Sequence, residues 1–220
     1  KVKKIEYDEN KPNNFEFSLI CDLSGSMNEN KLGGKSYEQR LCAILIMEAL
    51  AEFEEKLKKE REEKALDLKV LTEIRGFGDG DEELKPLGDN LDYQTRIKTA
   101  ARLSRCDGSS TQDFESLTKI DSTIDEKKHW QINRNDLKKI ILLITDGGSD
   151  NVRQASKEKK SLDKAGVITR AIQIGQVSES DKEKFKEVWL KDRKDGQVCR
   201  NVSQLVPAVE KLLEKFLNDL

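Results

Sequence analysis

The run KIILLITD at positions 139 to 146 limits what this chain can fold into more than any other stretch. Ile140, Ile141, Leu142, Leu143 and Ile144 follow one another without a polar break, and Asp146-Gly147-Gly148 ends the run abruptly. A strand with one wet face alternates apolar and polar residues; an unbroken apolar strand is covered on both faces, which is the environment at the centre of a parallel sheet. Parallel neighbours need long crossovers, so such a strand asks for helices on either side of it in sequence.

The rest of the chain supplies them. FEFSLICD at 15 to 22 reads as a strand ending at Asp22, LKVLTEIRGF at 68 to 77 as a second, residues 83 to 87 as a short third, 167 to 175 as the strand after the central one, and 197 to 202 as a short last strand. Between them, apolar residues recur at helical spacing. Cys42, Leu45, Ile46, Ala49, Phe53 and Leu57 do so within 36 to 64, and a helix is expected over 91 to 103. Phe114, Leu117, Ile120 and Ile124 mark a helix from 112, with Ser110 and Asp113 as its N-cap pattern. Val152, Ala155, Leu162 and Ala165 mark one closed by Gly166, and Phe185, Val188 and Trp189 another. A final helix, capped by Ser203, presents Leu205, Val209, Leu212, Phe216 and Leu220. The charged second half of the long helix offers Glu54–Lys58, Glu55–Lys59 and Glu60–Lys64 pairs and reads as a solvated face, with Glu48 at an exposed edge. Alternating strands and helices define an α/β sheet with helices on both faces. Without repeats or linkers, one domain over 15 to 220 is expected, after an N-terminal extension at 1 to 14.

Composition removes several functions. Forty basic against 42 acidic residues leave a net charge of −2, which argues against the basic stripe that nucleic-acid binding needs. No apolar run approaches the ~20 residues of a membrane span. No apolar block follows the basic start KVKK, so no secretory signal is visible, and the missing initial Met is compatible with a piece of a longer protein. Cys21, Cys42, Cys106 and Cys199 form no CxxC pair, which disfavours a zinc knuckle and fits reduced thiols in a cytoplasmic protein. The lone histidine, His129, stands in a polar stretch, so a Ser-His-Asp hydrolase is disfavoured. The acidic cluster after Phe77 is not an EF-hand loop: with Asp79 as position one, Leu84 stands where glycine is required.

In a parallel α/β sheet, function gathers at the carboxyl ends of the strands. Three pieces of the sequence fall there: Asp22-Leu23-Ser24-Gly25-Ser26, Thr111, and Thr145-Asp146-Gly147. Residues two apart in an extended loop project the same way, so Ser24 and Ser26 can reach one ion, with Asp22 and Asp146 behind them and Gly25 easing a close backbone approach. Gly147 and Gly148 are read as permitting a sharp exit from the strand. Two carboxylates and three hydroxyls, without imidazole or thiolate, form a donor set for Mg²⁺ or Mn²⁺, with Ca²⁺ as a further choice and zinc disfavoured. The alternative reading of the same residues is helix caps and turn formers.

DLSGSM at 22 to 27, Thr111 and TDG at 145 to 147 resemble a von Willebrand factor type A domain and its metal-ion-dependent adhesion site, in which Asp-x-Ser-x-Ser, a distant Thr and a distant Asp occur in this order. Phe77-Gly78-Asp79 also matches the family's Phe-x-Asp after the second strand. Two features depart from it: Gly108-Ser109-Ser110 precedes Thr111 where Gly-Gly is common, and NENKLGGK at 28 to 35 is a long approach to the first helix. The resemblance implies a Rossmann-like, doubly wound, mostly parallel sheet, with Asp22, Ser24, Ser26, Thr111 and Asp146 holding a divalent cation whose open position takes a carboxylate from a protein partner. It implies a monomeric binding module and no catalysis. NVSQLVPAVEKLLEKFL at the C-terminus is similar to the last helix of bacterial type A domains that work beside AAA+ ATPases, the cobaltochelatase large-subunit type among them. That similarity implies an alternative, a non-catalytic subunit of an ATPase-driven machine.

Overall fold

The computed structural model describes residues 12, 14–62, 69–190 and 195–218. The expected extension at 1 to 14 lies outside them apart from Pro12 and Asn14, and so does Leu220. A six-stranded sheet forms the centre of the molecule, built from β1 (Asn14–Asp22), β2 (Lys69–Phe77), β3 (Asp81–Gly88), β4 (Leu137–Thr145), β5 (Ile168–Ile174) and β6 (Gly196–Cys199) in the order β3-β2-β1-β4-β5-β6. All neighbours are parallel except β2 and β3, an antiparallel hairpin at the edge with an irregular register. The sheet is thus mixed but mostly parallel, as the apolar run of β4 requires.

Alternation along β4 shows how the chain uses both faces. Ile140, Leu142 and Ile144 join Phe15, Phe17, Leu19 and Cys21 of β1 in one core, under α1 (Lys35–Glu62) and α7 (Leu205–Asn218). Ile141 and Leu143 join Ile20 in the other, under α3 (Asp113–Asp121), α5 (Val152–Lys164) and α6 (Glu179–Trp189). The second face is not wholly apolar. Lys139, with its side chain fully buried, donates to Glu16 Oε2 at 2.7 Å, and Lys128 approaches Glu16 Oε1 at 2.8 Å. Burial alone would raise the Glu16 pKa, but these two ammonium groups overcome it and hold the carboxyl below its usual range.

Register brings the functional edge into line. Asp22 is level with Phe77, and Cys21 with Ile144, so the carboxyl ends of β1, β2 and β4 form one rim. The helix α2 (Tyr93–Leu103) follows β3, and α5 ends at Gly166, whose φ of +84° is the left-handed conformation of a glycine stop.

Several expectations change. A helix, α4 (Glu126–Asn133), occupies the polar stretch around His129, started by Asp125, whose side chain accepts from the Lys128 amide. Ser110 does not cap α3; its one hydroxyl hydrogen is shared between Gly78 O at 2.8 Å and Asp79 Oδ1 at 3.0 Å, because the loop closes onto β2 instead. Ser203 lies inside a short 3-10 turn that Asn201 and Gln204 close reciprocally ahead of α7. Glu48 pairs with Arg96 at 2.6 Å. Glu55 and Lys59 are both exposed and form no ion pair with one another, while the Lys58, Glu60 and Lys64 partners lie outside the described side chains.

Candidate metal centre

At the end of β1, Gln39 of α1 grips the backbone of Asp22 from both sides, donating to its carbonyl at 2.9 Å and accepting from its amide at 3.1 Å. The Asp22 side chain, fully buried, accepts the Ser24 amide at 2.8 Å on one oxygen and the Thr145 hydroxyl at 2.6 Å on the other. Ser26 donates its hydroxyl to Asp146 Oδ1 at 2.7 Å. Its one hydroxyl hydrogen being used there, the 3.0 Å contact between the two serine oxygens has Ser24 as donor. Asp22, Ser24, Ser26 and Asp146 therefore form one connected set.

Thr111 arrives from the other side on a braced loop. Gly108 exchanges backbone hydrogen bonds with the 23–25 segment, donating to Leu23 O at 3.0 Å and accepting from the Gly25 amide at 2.7 Å. Gly25 thus serves a close approach to Gly108, where a Cβ would stand 3.4 Å from the Gly108 carbonyl oxygen. Asp79, exposed after β2, accepts from the Ser109 amide at 2.8 Å and hydroxyl at 2.7 Å. Asp150 accepts the Thr111 amide at 2.7 Å and donates its own amide back to Thr111 O at 3.1 Å. These contacts set Thr111 beside Gly147, where a Cβ on the glycine would stand 3.7 Å from Thr111 Oγ1. Thr111 makes no side-chain hydrogen bond to the other four among the described residues. Of the two glycines after Asp146, it is Gly148 that is crowded: a Cβ there would lie 2.6 Å from Lys184 Cβ and 2.8 Å from Asp181 O, so close packing against α6 demands glycine, not the exit turn.

Burial pushes the Asp22 pKa up to about 6, against the lowering effect of the Ser24 and Thr145 hydrogen bonds, and nearby Asp146 adds to the rise. Asp113, buried at the start of α3, is pushed up to about 7 for the same first reason, although Ser149 donates to it at 2.5 Å. The rim thus carries more carboxylate than its surroundings solvate well. Among the described residues one positive charge meets it directly: Lys35, the first residue of α1, places its ammonium 2.6 Å from Asp146 Oδ2 and 3.1 Å from Ser26 O. Sequence spacing marked Asp113 only as part of an N-cap pattern and gave Lys35 and Asp150 no role at the rim. Lys35 carried a usable signal, since a cation in the first turn of a helix opposes the helix dipole and calls for a nearby anion.

The donor chemistry fits a divalent cation. The hydroxyl hydrogens of Ser24 and Ser26 are directed within the set, the carboxylates act as their acceptors or as amide acceptors, and no imidazole or thiolate intervenes. Oxygen lone pairs are what such a set has left to offer an ion.

The sheet order and the flanking helices are those of the von Willebrand factor type A fold. Solved structures agree: a von Willebrand factor type A structure from Catenulispora acidiphila superposes with a TM-score of 0.58 over 91% of this chain and 42% of its own, at 18% identity. Proximal thread matrix protein 1 of the mussel byssus gives a TM-score of 0.62 with its metal-ion-dependent adhesion site occupied by zinc, over 94% of this chain and 46% of that one, at 14% identity. An aerotolerance-related membrane protein of Bacteroides fragilis covers 94% of this chain and is itself covered completely, with a TM-score of 0.58 and 12% identity. In sequence, the chain is 26% identical over 183 residues to an uncharacterised protein of Treponema pallidum (strain Nichols), covering 81% of this chain and 30% of that protein. The chain thus spans about a third of that relative and less than half of two of these three solved chains. No protein-family model matches it.

Proposed function

We propose that this domain is a metal-dependent protein-binding module in which Ser24, Ser26 and Thr111 hold a divalent cation, with Asp22 and Asp146 fixing the hydroxyls from behind. The observation that carries this reading is the connected set itself, in which Ser26 donates to Asp146 and Ser24 to Ser26. The ion would supply a positive centre at the rim for a partner's Asp or Glu. The residues of the chain do the rest: Asp22 orients the 22–24 turn, and Asp79 and Asp150 hold the Thr111 loop. Oxygen donors favour Mg²⁺ or Mn²⁺; the zinc in the mussel protein supports a divalent ion as the class.

The module is read as monomeric, and as non-catalytic because among the described residues no nucleophile with a partner base accompanies the rim. Four buried, unpaired thiols support a reducing, cytoplasmic setting. Among the described residues no helix is long and apolar enough to cross a membrane. A role beside an AAA+ ATPase is the second reading, favoured by the C-terminal helix sequence. A pull-down from the source cell with the wild-type chain in Mg²⁺ and in EDTA, and with Asp22→Ala in Mg²⁺, tests both. A partner retained only by wild type with Mg²⁺ supports the module, an ATPase among the retained proteins supports the second reading, and equal retention in all arms contradicts both.

A further inference from the structure

Lys35 is built into the rim rather than laid over it. Its side chain is 15% exposed and that of Asp146 2%, so the 2.6 Å ion pair is largely shielded from water and salt. The route of the side chain is kept open by Gly175 at the end of β5, which has a φ of +82° and where a Cβ would stand 3.2 Å from Lys35 Cε. A second bond, to the Ser26 carbonyl at 3.1 Å, points the ammonium at the serine loop as well as at Asp146. The helix dipole disfavours a cation at this position, so the attraction of Asp146 must outweigh it.

We propose that Lys35 is the resident counter-cation of this site, competing with a divalent ion for Asp146 and thereby setting the ion's affinity. The inference rests on the metal-binding reading above. An ammonium that neutralises one of the two carboxylates leaves less negative charge for an incoming ion. It also repels that ion at close range, where a partly buried setting screens little. Binding of the ion then requires Lys35 to swing off Asp146 or to share it, and either costs affinity. A purely structural ion pair, tying the start of α1 to β4, would instead affect stability and leave ion affinity alone.

Calorimetric titration of Mn²⁺ into the wild-type chain, Lys35→Met, Lys35→Gln and Lys35→Arg separates these. Competition predicts that both neutral variants bind Mn²⁺ tighter by about tenfold or more, the scale of a like-charge repulsion across a few ångströms. Lys35→Arg, which keeps the charge, should stay near wild type. Measurable binding by the neutral variants alone supports the proposal equally. If the neutral variants bind Mn²⁺ with wild-type or weaker affinity, Lys35 does not compete and the proposal falls while the metal site stands. If no protein in the series binds Mn²⁺, the metal reading falls and takes this inference with it. Melting curves in EDTA confirm that each variant is folded, and with two neutral variants the loss of one leaves the comparison intact.

Discussion

Asp79 and Ser109, thirty residues apart, are joined twice, amide and hydroxyl both donating to Asp79 Oδ1 at 2.8 and 2.7 Å. Ser110 adds a third hydrogen bond at 3.0 Å. Together they hold the Asp79 carboxyl below its usual range, with the Ser109 hydroxyl as the largest cause. The contact ties the end of β2 to the loop that carries Thr111, so it is the nearest thing this site has to a hinge pin.

Replacing Asp79 with Ala should therefore loosen the Thr111 loop without unfolding an exposed corner. We expect Mn²⁺ affinity to fall several-fold, with a far-ultraviolet circular dichroism spectrum like that of the wild type, whereas Asp79→Asn, which retains an acceptor oxygen, should lose less. Equal Mn²⁺ affinity in Asp79→Ala and wild type would remove the Thr111 loop from the ion site.

What could be read from sequence follows from the kind of signal involved. The β4 run and the helical stripes of α1, α5 and α6 announce themselves because burial imposes a period. That the Asp-x-Ser-x-Ser turn, Thr111 and Asp146 share one rim was legible because strand ends gather at one edge of a parallel sheet. The helix α4 was not, since none of its residues is buried and EKKHWQIN carries no apolar stripe; only Asp125, three residues before Lys128, marks its start. What Lys35 and Asp113 do at the rim stayed hidden for another reason. Their roles are set by residues about 110 and 36 positions away, a partnership that local spacing does not encode.

Gly108 packs so tightly that a Cβ would lie 3.0 Å from Gly78 Cα and 3.2 Å from Leu23 O, both backbone atoms. Gly108→Ala should destabilise the protein by about 1 to 3 kcal/mol, because neither neighbour can move without shifting a strand end. Chemical denaturation measures this, and a change below about 0.5 kcal/mol would mean the two loops are free to part.

The buried ion pair at Glu16 predicts a pH signature. A carboxyl whose folded pKa is lowered stabilises the protein above its unfolded value, taken as 4.5, and that contribution is lost as pH falls through the folded pKa. Glu16→Gln leaves Lys139 buried with its charge uncompensated, so at pH 7 it should cost about 3 kcal/mol or more. The gap from wild type should narrow steadily below about pH 4.5, and a gap that stays constant from pH 7 to pH 3 would contradict the assignment.

All four cysteines are buried and unpaired, and burial raises each thiol pKa, that of Cys106 to about 11. Thiolate is the reactive form, so the folded protein should react slowly with a disulfide reagent at pH 8 and release four equivalents on unfolding. Rapid labelling of the native protein would mean that the core opens far more readily than its packing indicates.

The central claim is that the serine pair and its carboxylates hold a divalent ion. Calorimetric titration of Mn²⁺ into the wild-type chain and into Ser24→Ala/Ser26→Ala, after EDTA treatment and exchange into metal-free buffer, tests it most directly. The account predicts one saturable site in the wild type and none measurable in the folded double variant; no binding by the wild type, or the same affinity in both, would contradict it.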